Sequence, residues 1–249
     1  MQPEPSKLVD FWVEPLDKKH LQDFHELCSD EKAALWSSQR HTGTLEASAD
    51  RLSEALARDA ENPWLVSCAV MSSSYSPPGS QNATPVTAPK MIGVIRTTRA
   101  SSSGLSIGYK LRSDCWGRGY ATRAVGAFLN VYWSRPRWAP REEVFVQHPL
   151  GSIEASVLDV DVLKDGAPKR DENVAKRAAG PGREGAEVEI THLIAQVDPE
   201  NAGSMRVAEK CGGKLVSVDR GCVKVWRFPE MRDMAVWRLD KPSANVEPV

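Results

Sequence analysis

The stretch IGYKLRSDCWGRGYATRA, Ile107 to Ala124, decides how the rest of the chain is read. It opens at the end of an apolar run, Leu105 to Leu111, of strand length, and closes on a helical pattern that begins near Gly119. Between the two, Trp116-Gly117-Arg118-Gly119-Tyr120-Ala121-Thr122 puts a pair of glycines at the junction. Without Cβ atoms the backbone can turn tightly there and present its N–H groups unobstructed. The first turn of the helix adds N–H groups that have no intrahelical acceptor, together with the positive end of its dipole. That combination suits a pyrophosphate. A helix start that needs glycine only to turn has the same spacing, so the motif alone leaves both readings open.

Downstream of the turn, Ala121, Ala124, Val125, Phe128, Leu129 and Tyr132 follow the i, i+3, i+4, i+7 pattern of a core-facing stripe, so a helix is expected from about Gly119 to Trp133. Upstream, Leu8 to Pro15 reads as a strand with Val9, Phe11 and Val13 on one face. Helices are expected over Lys18 to Cys28 and Leu45 to Ala60, and strands over Trp64 to Met71, Met91 to Thr98 and Leu105 to Leu111. The periodic pattern resumes with a strand over Val188 to Val197, a helix over Ala202 to Cys211, and strands over Lys214 to Val218 and Met234 to Leu239. Two stretches break it. Residues 72–90 are rich in Ser, Pro and Gly, and residues 149–187 mix charge around a Gly-Pro-Gly with no apolar period. Both are expected to be flexible inserts in one domain spanning 8–241.

The bulk properties are those of a soluble globular protein. The chain has 249 residues, 41% of them hydrophobic and 26% charged, which is enough for one sizeable α/β domain. A net charge of −1 argues against a general nucleic-acid or membrane-surface binder. The five cysteines form no CxxC pair, so neither a disulfide framework nor a metal site is expected. The N-terminal residues lack the pattern of a secretory signal, and no apolar run approaches the roughly 20 residues of a membrane span. The expected location is cytoplasmic; oligomeric state is not legible.

A second stretch, AQVDPENAGSMRVAEKCGGKLVS (Ala195 to Ser217), has an Asn after a strand, a Ser three residues on, and a helix that ends before a glycine pair. Taken with residues 107–124, it resembles the Gcn5-related N-acetyltransferase (GNAT) superfamily, in the ribosomal-protein N-terminal acetyltransferase (RimJ/RimL-like) branch. The resemblance implies one α/β domain with a mixed central sheet flanked by helices, whose central strands splay around the pantetheine arm of acetyl-CoA. It implies N-acetyl transfer from acetyl-CoA, as acyl-donor cosubstrate, to a primary amine by direct attack in a ternary complex. The acceptor would be a protein N-terminus or a small molecule. The amides of Gly117, Arg118, Gly119, Tyr120, Ala121 and Thr122 would hold the pyrophosphate, with Trp116 just before them. Backbone groups of Tyr109 and Leu111 would pair with the pantetheine, Asn201 would hydrogen-bond it, and Ser204 would serve the leaving thiolate. Two positions depart from the family pattern: Arg123 stands where Glu is usual, and Gly213 where an aromatic is usual.

The reaction needs a neutral amine, a polarised carbonyl and a stabilised thiolate. No residue declares itself as the base. Gln196 is an amide; His192 shares its strand face and has a suitable ordinary pKa of about 6.5, against the plainer reading of a hydrogen-bonded strand histidine. Asp198-Pro199 reads as a helix N-cap with Pro at the first position, which would leave Ser204 to bond back to a carbonyl. Trp36 and Trp12 are candidates for an acceptor wall, while Cys115 and Cys211 read as small buried residues. Two rival readings stand beside the enzyme. One is a CoA-binding module without catalysis. The other, an NAD-type fold, needs a GxGxxG spacing that GRGYA lacks.

Overall fold

A computed structural model describes residues 10–73, 75, 88–145 and 187–242. The chain runs through β1 (Phe11–Pro15), α1 (Leu21–Ser29), α2 (Leu45–Glu61), β2 (Ser67–Ser72), β3 (Lys90–Ser101) and β4 (Gly104–Leu111). It continues with α3 (Tyr120–Trp133), β5 (Trp138–Pro140), β6 (Glu187–Glu189), β7 (His192–Val197), α4 (Ala202–Lys210), β8 (Lys214–Lys224) and β9 (Met231–Asp240). Seven strands form one sheet in the order β1-β2-β3-β4-β7-β9-β8, and β5 pairs with β6 apart from it. The fold is mixed α/β, as expected.

Local chemistry accounts for where the helices begin. Asp17 caps the short 3-10 turn before α1 by accepting from Lys19 N–H at 3.0 Å, and Thr44 caps α2 by accepting from Ala47 N–H at 3.2 Å. Period-2 burial then splits the sheet between two cores. Cys68 and Val70 of β2 join Ile92, Ile95, Leu105 and Ile107 beneath α3, whose Ala124, Val125, Phe128 and Tyr132 are buried. Ala69 and Met71 face the other way, onto Phe24, Leu27 and Cys28 of α1 and Leu52 of α2. Burying each large apolar side chain contributes about 1.5–3 kcal/mol, so the α3 stripe is a principal tie between helix and sheet.

Several boundaries differ from those expected. The strand expected over Val188 to Val197 breaks into β6, which pairs with β5, and β7, which pairs with β4 and β9; the Ile190 N–H on the Arg137 carbonyl at 2.9 Å is the last rung toward β5. The last two strands extend to Lys224 and start at Met231. β8 is an edge strand, exposed along most of its length, and so carries little apolar alternation to read. β5 was not expected. Most of the two inserts lies outside the described residues, but their ends do not. Ser72 is buried in β2, and Tyr75 is buried with its hydroxyl donating to Asp114 at 2.7 Å. Lys90 opens β3 with ion pairs to Asp23 and Glu26, both at 2.8 Å, and Glu187 opens β6.

The sheet's one parallel junction among the described residues positions the site. β4 and β7 share a single registered pair, Ser106 with Ile194, and beyond it their carboxyl ends do not pair with each other. Residues 116–119 follow one of those ends and α4 follows the other. The splayed gap therefore lies between the N-termini of α3 and α4.

Candidate active site

A cleft of about 640 Å³ occupies this gap. Its lining brings together Tyr109, Leu111, Trp116, Gly117, Gly119, Tyr120, Ala121, Thr122, Asn201 and Ser204, ten of the eleven residues singled out in the sequence. Arg118 is exposed and does not line it.

On the α3 side, Gly117 and Gly119 adopt φ of +75° and +77°, in the left-handed region that costs other residues energy. Gly119 is the N-cap of α3 without a side-chain cap, and its carbonyl accepts from Arg123 N–H at 3.2 Å. The N–H groups of Tyr120, Ala121 and Thr122 have no intrahelical acceptor, and a Cβ at either glycine would meet nothing within 4 Å. The turn thus faces open space with unpaired donors. Arg123 looks away from it: its guanidinium sits 4.3 Å above the Phe11 ring and pairs with Asp10 at 3.2 Å. The basic residue in the usual Glu position ties α3 to β1.

β4 offers a peptide edge. Arg112 N–H donates to the Ile92 carbonyl at 2.9 Å, toward β3. Since peptide direction alternates along a strand, the N–H and C=O of Tyr109 and of Leu111 face the gap. The Leu111 carbonyl is already engaged by Trp116 Nε1 at 3.0 Å, which leaves the Tyr109 groups and the Leu111 N–H.

On the α4 side the sequence expectation needs correcting. Asn201, rather than Asp198, is the N-cap: its Oδ1 accepts from Ser204 N–H at 3.1 Å. Asp198 is buried and committed elsewhere, accepting from Glu200 N–H at 2.9 Å and from Arg232 Nε and Nη2 at 2.8 and 3.2 Å. Ser204 is therefore in the first turn. Its Oγ lies 2.9 Å from the Tyr109 hydroxyl, a contact between residues 95 apart in sequence that no local signal announces. Burial pushes the Tyr109 phenol up, partly offset by Ser204, so it stays protonated at neutral pH.

The remaining candidates sort by position. His192 is at the opposite end of β7, its Nε2 2.8 Å from the Ser103 carbonyl, and does not reach the cleft. Cys115 lines the cleft, but burial above all, with Asp114 beside it, pushes its thiol up to about 12, which disfavours the nucleophilic thiolate. Trp36 lines the cleft, its ring tilted 40° to that of Phe228 at 5.9 Å between centroids, with the Arg227 guanidinium 5.1 Å above it. Trp12 instead packs beside α1, its Nε1 on Glu14 at 2.7 Å. Arg58, Arg96, Arg99, Lys110, Arg206 and Lys210 line the cleft, whereas Asp198 is the one carboxylate among its described residues. The buried Ser106 hydroxyl also lines the cleft and has no hydrogen-bond partner among the described residues.

A family model described as an acetyltransferase (GNAT) domain matches residues 10–214. No curated protein sequence matches the chain. Among solved structures, RimL, the ribosomal L7/L12 α-N-protein acetyltransferase, is 13% identical with a TM-score of 0.56, over 93% of this chain and 91% of that one. The microcin C7 self-immunity acetyltransferase MccE, solved with acetyl-CoA and AMP, is 12% identical with a TM-score of 0.56, over 93% of each chain. Spermidine N-acetyltransferase from Vibrio cholerae, solved with CoA and spermine, is 9% identical with a TM-score of 0.54, over 93% of this chain and 96% of that one. At such identities the likeness is one of fold.

Proposed function

This chain belongs to the acetyltransferase (GNAT) domain family, acetyl-CoA-dependent enzymes, and on that premise we propose that it acetylates a primary amine by direct attack in a ternary complex. The acceptor is a protein N-terminus or a small molecule. The observation that carries the reading is the gap beyond the Ser106–Ile194 pair, flanked by two helix N-termini and the β4 peptide edge.

The residues present fit acetyl-CoA. Unpaired amides of the turn and of α3 face open space where a pyrophosphate would sit. The Tyr109 peptide groups and the Leu111 N–H would pair with the pantetheine amides as an added strand does. Asn201 keeps its side-chain N–H₂ for a carbonyl, because only its Oδ1 is spent on the cap. Bound acetyl-CoA supplies an activated acyl group with a thiolate leaving group. Ser204, near the thioester sulfur, would donate a hydrogen bond to that thiolate.

The state of the cleft's candidate nucleophile and base supports direct attack. Burial, with Asp114 beside it, pushes the Cys115 thiol up, which disfavours the thiolate that an acyl-enzyme would need. Asp198 is bound by Arg232, and neither His nor Glu lines the cleft among its described residues. Water then carries the amine's proton away.

Incubation with acetyl-CoA and a panel of peptide N-termini and small amines, following free thiol and acetylated product, tests this. Acetyl-amide formation with matching thiol release is expected. CoA binding with no product from any amine would reduce the chain to a binding module.

A further inference from the structure

Ser204 lies in the first turn of α4 and Tyr109 on β4, so their 2.9 Å contact spans the splayed gap between the two elements. Each hydroxyl carries one proton, and one of the two must donate to the other. A phenol is the stronger acid and donor, and an aliphatic hydroxyl the better acceptor. Among the described residues Ser204 is the one side-chain partner of the Tyr109 hydroxyl, and the Ser204 Oγ bonds back to no helix carbonyl.

We propose that Tyr109 is a positioning residue, whose phenol donates to Ser204 Oγ and so turns the single Ser204 proton into the cleft toward the departing thiolate. This rests on the acetyl-CoA reading above. The chemistry decides what the proton does there. A serine hydroxyl is a far weaker acid than a thiol of pKa about 8.5, so Ser204 donates a hydrogen bond and keeps its proton. The amine nitrogen bonds to the acyl carbon as the carbon–sulfur bond breaks, and the electron pair goes to sulfur. Ser204 holds that charge while the amine's proton passes to water, from which the thiolate is later protonated. The Tyr109 donation polarises the Ser204 O–H and strengthens it, as in any chain of hydroxyls at low local dielectric.

Titration of the thiol of bound CoA, followed by ultraviolet thiolate absorbance, reads this without turnover. Wild type, Tyr109→Phe, Ser204→Ala and the double variant are compared. Relative to wild type, the bound thiol is expected to titrate about one pH unit higher in each single variant, tenfold in thiolate fraction, and by that same amount in the double. CoA affinity by calorimetry at a pH below that titration should stay within a few-fold, which also reports that the variants are folded. Fluorotyrosine at position 109, a stronger donor of nearly equal size, should shift the thiol the opposite way. It tests the idea even if Tyr109→Phe does not fold. A Tyr109→Phe complex that titrates like wild type, additive shifts in the double variant, or a thiol indifferent to fluorotyrosine overturns the role of Tyr109 and leaves acetyl transfer standing. Failure of the wild type to bind CoA sinks both.

Discussion

At Asn201 the side-chain oxygen is committed to the Ser204 N–H at 3.1 Å, which leaves the N–H₂ as the part free for a ligand. Cap and cofactor contact can therefore be separated. Asn201→Asp keeps a capping oxygen and removes the donor, so CoA affinity should fall several-fold while thermal stability holds. Asn201→Ala loses both, with about 1 kcal/mol of stability in addition. Calorimetry paired with thermal melts checks the split, and an Asp variant that binds CoA normally would remove the amide from the site. Gly119 poses a different question, because its φ of +77° and the open space before it point to backbone rather than packing. Gly119→Ala should cost about 1–2 kcal/mol in left-handed strain and put a methyl before the α3 amides. Both CoA affinity and the unfolding midpoint should drop; affinity unchanged in a folded variant would place the pyrophosphate elsewhere.

The α4 element shows how a departure from a family pattern can be a packing solution. Gly212 N–H bonds to the Glu209 carbonyl at 3.0 Å and Gly213 N–H to the Ala208 carbonyl at 2.9 Å, the Schellman arrangement with Gly212 at φ +79°. A Cβ on Gly213 would lie 2.7 Å from the Ala208 oxygen and 3.4 Å from the Trp237 ring. The Ala208 carbonyl and the Trp237 ring thus crowd the point from which a side chain at position 213 would start. Gly213→Ala should therefore destabilise by about 1–3 kcal/mol, read from the urea midpoint, with CoA affinity in the folded protein little changed. A variant as stable as wild type would mean that the helix end yields at no cost. The start of the same helix was misread from sequence for a physical reason. Asp-Pro is a capping signal only if Asp198 is free, and Arg232, thirty-four residues away, takes its carboxylate.

On the scale of the whole molecule, acid should act first through carboxylates that bind cations. Glu14 on β1 accepts from Lys19 at 2.6 Å, from Trp12 and from His20, and these hold its carboxyl at about 2 against an ordinary 4.5. Its folded pKa is depressed, so the stability it contributes is present above the unfolded value and lost as pH falls from about 4.5 toward 2. The melting temperature of wild type should fall through that window, and Glu14→Gln should flatten the fall. Equal slopes in the two proteins would remove Glu14 from acid unfolding. Glu26 adds to the same trend: burial works against its charge, but Lys90 and Arg112 outweigh it and hold its pKa down.

The local signals in the sequence determined much of this protein. Glycines at 117 and 119 before an apolar helical stripe located the turn and α3, since backbone freedom and 3.6-residue periodicity are encoded within a few neighbouring residues. The spaced pair of motifs, read together, led to the family. The interior strands were legible because burial imposes their pattern, and the edge strand β8 was read short because exposure imposes none. Only the tertiary structure decided which side chains meet. It set His192 at the far end of its strand, bound Asp198 to Arg232, faced Trp36 into the cleft and Trp12 away from it, and joined Tyr109 to Ser204 across the gap. Those pairings depend on sheet order and on the register of one parallel junction, and neither is written in the residues beside them.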